Sequence, residues 1–195
     1  MFVMRRFSPY YLIILSQLVL AASIIACTVI LPQFFWSSNQ GGISNYGVHH
    51  ETALLFSVGF GGCGGLLLWA AACLPVRSRH HHWLKVSIVA VAVLILLVAV
   101  TTYTYKLSPL LDKLHIASTF ILFFAQLPLA IWYVFWLDKS RPARLLFWSY
   151  VAGLVLLGLT YFNVIHILFI AEVVAAFSFG LLLAVVVWHV QLAEK

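Results

Sequence analysis

Charge is what this chain has little of. Asp, Glu, Lys and Arg together make up 8% of its 195 residues, and only five of those are acidic. Soluble domains carry charge at about a quarter of their positions, so a water-facing globular domain is excluded. Cysteine is scarcer still, at three residues. Cys27, Cys63 and Cys73 all fall inside apolar runs and show no CxxC spacing, which removes a disulfide framework and a thiolate metal knuckle and leaves packing. No internal repeat and no low-complexity tract is present, so solenoid and linker architectures drop out. Neither HExxH nor CxxCH occurs.

Apolar side chains fill the space. Hydrophobic residues reach 64% and the mean hydropathy is +1.07, a composition that belongs in a bilayer. Six apolar runs span residues 10–31, 51–74, 84–103, 115–137, 145–162 and 164–190. Each is near the roughly 20 residues that cross a hydrocarbon core of about 30 Å. Lipid offers no partner to a backbone N–H or C=O, so each run is expected to be helical. The last two runs are nearly fused, and Asn163 marks a tight turn between them. The expected fold is an all-α integral membrane protein, one six-transmembrane-helix bundle over residues 1–195. Arg5 and Arg6 before the first run resemble a secretion signal, but the run continues past Cys27 to Leu31, so a retained first helix is expected.

The formal charge of +6 invites a nucleic-acid reading, which the placement of the cations argues against. Arg5, Arg6, Arg77, Arg79, Lys85, Lys139, Arg141, Arg144 and Lys195 lie on one side of the six runs, against Lys106 and Lys113 on the other. Nine against two puts both termini in the cytoplasm and residues 41–50 outside. The tryptophans fit that frame, with Trp36 at the outer edge and Trp69, Trp83, Trp132, Trp136, Trp148 and Trp188 toward the inner one. His80, His81 and His82 read as a solvated basic loop near headgroups rather than a metal site.

The stretch GGISNYGVHHETALLFSVGFGGCGG, residues 41–65, is the most unusual. Its first half is an uncharged, turn-rich loop. Its second half is an apolar helix with glycines at 59, 61, 62, 64 and 65. Gly61 and Gly65 have the small-xxx-small spacing that lets helices approach closely, so they are expected to face another helix. In the fourth run Pro128 removes a backbone donor and is expected to kink the helix. His115 and Gln126 share one face there, flanked by Ser118 and Thr119.

Ionisable groups gather at the outer ends of the second, fourth and sixth runs: His49, His50 and Glu51; Asp112, Lys113 and His115; then His166 and Glu172. Glu172 is the most informative. It lies about 9 Å deeper than His166 at 1.5 Å per residue, and an intramembrane acid costs around 2.5 kcal/mol or more unless paired, hydrated or protonated. The expectation is that His115, His166 and Glu172 share one cavity, as a catalytic set if the chain is an enzyme. Ser44, His49, His50, Glu51, Ser118, Thr119 and Gln126 are candidate ligand contacts. Three chemistries stay open: a His–carboxylate zinc site that activates water, a metal-free His–Glu general base, and bis-histidine haem ligation. Zinc is not favoured, because no diagnostic spacing is present, and haem is disfavoured further by the missing CxxCH.

Three stretches carry a family resemblance. Ile43-Ser44-x-x-Gly47 with Phe56 resembles the first outer loop of the FRAG/DRAM/Sfk family. His115, Ser118, Phe123-Phe124 and Pro128-Leu129-Ala130 resemble the fourth helix of related prokaryotic proteins of unknown function, and Glu172 is similar to an acid found in the sixth helix of both. Prolines expected before the second helix are replaced here around His49–Glu51. The resemblance implies a six-helix membrane protein with a lipid-linked role and no established mechanism. The expected function is to bind a lipid or lipid-linked substrate near the outer leaflet. An intramembrane hydrolase or acyltransferase, or a structural subunit of a membrane complex, are the alternatives. Expected partners are membrane lipid and, in the last case, further copies or other membrane subunits; the expected location is multi-pass integral membrane, the plasma (inner) membrane if the source is prokaryotic.

Overall fold

A computed structural model of the protein describes residues 8–36, 42–102 and 109–192. Arg5, Arg6, Gly41, Lys106 and Lys195 lie outside the described residues, as do the side chains of Trp36 and Asp112. All regular structure among the described residues is helical: α1 (Pro9–Ile30), α2 (Gln33–Trp36), α3 (Asn45–Val48), α4 (Ala53–Cys73), α5 (Arg79–Thr102), α6 (Pro109–Trp132), α7 (Arg141–Tyr161) and α8 (Leu168–Leu192). A π-helical turn, Tyr133–Leu137, extends α6. Six helices are long and apolar enough to cross a membrane, the fourth combining α6 with the π turn.

Local chemistry sets the helix ends. Pro9 opens α1, where its missing N–H costs nothing. Ser140 caps α7 by accepting the Ala143 N–H at 3.3 Å. Asn163 takes a left-handed φ of 58°. Around it the Asn163 N–H bonds to Thr160 O at 3.0 Å and the Val164 N–H to Leu159 O at 2.9 Å. That is a Schellman stop, which satisfies the last carbonyls of α7. The turn expected at Asn163 is therefore present, but α8 resumes only at Leu168. His80, His81 and His82 belong to the first turn of α5 rather than to a loop. Ser78 Oγ accepts the His81 N–H there at 3.2 Å, so helix extends past the apolar run into polar sequence.

Helix α1 packs against α4 and α8, α4 against α5, α5 against α6, and α7 against α8. Helix α8 is the central element, with 61% of its apolar window buried against 28–44% in the other five. Small residues permit its closest approach. A Cβ at Gly153 of α7 would come within 2.7 Å of the Ala175 backbone nitrogen, and Ser178 Oγ donates to Ser149 Oγ at 2.8 Å one turn away.

The glycines of α4 correct an expectation. Gly61 and Gly65 have nothing within 4 Å of an added Cβ and face away from the bundle. The close contacts come from other faces of the same helix: Gly59 under Ser23 and Gly62 against Val19 on the α1 side, and Gly64 under Leu96 on the α5 side. Spacing identifies a pair on one face, but the neighbours of that face depend on the rotation of the whole helix.

Candidate functional site

The turn-rich loop does not lie open to solvent along its length. Gly42, Ile43, Asn45, Tyr46 and Gly47 are buried. Successive N–H groups of Asn45, Tyr46 and Gly47 bond back to the carbonyls of Gly42, Ile43 and Ser44 at 3.0–3.2 Å. The segment therefore meets its own backbone demand, as non-helical chain enclosed among apolar helices must. Tyr46 anchors it. The phenol donates to Thr28 Oγ1 at 3.1 Å, its ring lies 5.9 Å from Phe169 and 6.0 Å from Phe34, and Thr52 Oγ1 donates to its carbonyl at 2.7 Å. Burial raises the Tyr46 phenol above its ordinary pKa, which keeps it a neutral donor.

Glu172, in the second turn of α8, meets this plug from below. Its Oε2 accepts the Ile43 N–H at 2.6 Å. The carboxyl lies so close over Gly42 that a Cβ there would be 1.8 Å from Oε2, so a side chain at this position would push the carboxyl out of its place. Behind this contact is a cavity of about 60 Å³ whose wall is largely apolar, contributed by α1, α4, α5, α6 and α8 together with Ile43 and Ser44.

Of the residues expected at a site, Ser44, Thr119, Gln126 and Glu172 come together around this cavity. The others do not. His115 is buried on the α5 side, its Nδ1 3.1 Å from Thr101 Oγ1. Ser118 Oγ donates to the His115 carbonyl at 2.8 Å and also lies 3.3 Å from Thr101. His166 is exposed in the connection before α8. His49 lies tilted against Phe34, 4.6 Å between ring centres, while His50 and Glu51 are exposed. The expected grouping of His115 and His166 with Glu172 around one cavity is thus not what the fold presents. Equal depth along parallel helices fixes level and not direction, and His166 has no helical phase relative to Glu172. Among the described residues no three His, Cys, Asp or Glu side chains group as metal ligands would.

Two features were missed in the sequence. Gln17 of α1 lines the cavity together with Gln126; an amide inside an apolar run is the same signal that singled out Gln126. At the other end of the bundle Asp138, buried at 5% exposure, holds His189 Nδ1 at 2.5 Å and the Ser140 N–H at 2.9 Å. Both carboxylate oxygens are engaged, which ties the π turn and the start of α7 to the end of α8. Among the described residues it is the one acid of the basic end, and an acid set among those cations was its signal.

Against family models, curated proteins and solved structures the chain finds no match.

Proposed function

We propose that the protein is a membrane-embedded lipid-handling protein, which takes up part of a lipid or lipid-linked molecule in the cavity beneath the 42–48 plug. That end faces the outer side, and both termini face the cytoplasm. The observation that carries the reading is the cavity itself: an apolar pocket inside a spanning bundle, bearing a few convergent polar groups, suits an amphiphile. Arg77, Arg79, Lys85, Lys139, Arg141 and Arg144 all sit at the opposite end, in the α4–α5 and α6–α7 connections or the first two turns of the helices that follow them, which supports the orientation. The resemblance to FRAG/DRAM/Sfk proteins points to the same lipid-linked role. Hydrolase chemistry has less support, because no histidine joins Glu172 among the described residues of the wall.

Ala176 lines the cavity, and Ala176→Phe would fill it. Native mass spectrometry of the purified parent is expected to show retained lipid, released in Ala176→Phe at an unchanged helical content. Equal retention by both proteins would place the lipid elsewhere and overturn the reading.

A further inference from the structure

The described wall of the cavity contains no Lys, Arg or His. Its polar members are Gln17, Ser44, Thr119, Gln126 and Glu172, and the amide and carboxyl groups among them present acceptors. Gln17 and Gln126 are 7% and 4% exposed, and the Oε1 of each has no hydrogen-bond partner. For Gln17 the neighbour fixes the orientation of the amide. Ser16 Oγ gives its single proton to Ile13 O at 2.7 Å, so it can only accept, and Gln17 Nε2 donates to it at 3.2 Å. The carbonyl oxygen is turned the other way, over Gly180, where a Cβ would come within 2.1 Å of it. Thr119 gives its proton to the His115 carbonyl at 3.0 Å, which leaves lone pairs. Among the described residues Glu172 accepts one N–H, from Ile43.

We infer that the cavity recognises the non-anionic, hydrogen-bond-donating end of a single-chain amphiphile, a primary amine or a hydroxyl on an alkyl chain. The inference rests on the lipid-handling reading and narrows its substrate class. Buried acceptors without donors are destabilising, and a ligand that donates removes that cost. An ammonium carries three N–H donors and no acceptor, and it brings the countercharge that no described wall residue supplies to Glu172. A phosphate or carboxylate head would instead bring a second negative group beside the Glu172 carboxyl and leave the two amide oxygens without a donor, a mismatch that selects against it. Size adds a second limit. About 60 Å³ is a few times the roughly 10–15 Å³ that one water needs and well below the about 150 Å³ that admits benzene in an engineered protein cavity, so one unbranched chain end fits and a branched or ring-bearing head does not.

The test is thermal unfolding of the full-length protein in an uncharged detergent with octylamine, 1-octanol, octanoate or octyl phosphate. Octylamine and 1-octanol are expected to raise Tm, octylamine more, by about 3–6 °C at ten times its Kd. Octanoate and octyl phosphate are expected to give no rise. Glu172→Gln keeps an acceptor for the Ile43 N–H, and should lose the advantage of the amine while retaining the alcohol shift. Ala176→Phe should lose both. Equal stabilisation by octanoate or octyl phosphate would overturn the head-group assignment and leave the lipid reading standing. If no probe moves the parent, the inference fails, and lipid retained on purification then decides separately whether the broader reading survives.

Discussion

Ile43 and Glu172 are 129 positions apart in the chain and 2.6 Å apart in space, and Gly42 is what lets them meet. A side chain at position 42 would occupy the place of the carboxyl. Gly42→Ala is therefore expected to cost about 1–3 kcal/mol, the range for overpacking a filled site, measured as a fall in the thermal midpoint. Glu172→Gln, which keeps the acceptor, should stay within about 1 kcal/mol of the parent. In the double variant Gly42→Ala/Glu172→Ala the two losses should not add, because the second change removes the group that the first collides with. Additive losses would mean that the contact does not hold the plug. Glu172 was legible in the sequence because an acid within an apolar run is costly wherever it points. Its partner was not, since a backbone N–H leaves no compositional trace and Gly42 looks like any loop glycine.

Helices show where periodicity stops being informative. The six long apolar helices follow from apolar run length alone, yet the contacts between them depend on rotation about each axis, and that is set by all neighbours at once. Gly61 and Gly65 have the spacing for close approach and face open space; Gly153 lies in a less glycine-rich helix and sits against the Ala175 backbone. Substitution separates the two cases. Gly153→Leu should force α7 from α8 and cost about 3 kcal/mol, or abolish the fold. Gly61→Leu and Gly65→Leu should each change stability by no more than about 0.5 kcal/mol, as surface positions do. Comparable losses at all three sites would show that α4 meets a further helix on its outer face. The same limit explains the candidate site: Thr119 and Gln126 reach the cavity, while His115, on nearly the same face of α6, turns to Thr101 of α5.

For the whole molecule, the described ends of the bundle differ in chemistry, and that difference predicts its orientation. One end holds the 42–48 plug with Glu172 behind it. The other holds Arg77, Arg79, Lys85, Lys139, Arg141 and Arg144, with the Asp138–His189 pair joining α6 to α8. Cations in short connections are retained on the cytoplasmic side during insertion, so the plugged end should be outside. Two exposed positions report the two ends, His50 beside the plug and Ser78 in the α4–α5 connection. Cys27 and Cys63 are buried and Cys73 is partly so, so a Cys73→Ala background limits native labelling. In that background a membrane-impermeant maleimide applied to intact cells should label His50→Cys and spare Ser78→Cys, and permeabilisation should expose Ser78→Cys. The reverse pattern would put the basic end outside. The cavity would then sit in the inner leaflet, and an outer-leaflet lipid could not be its ligand.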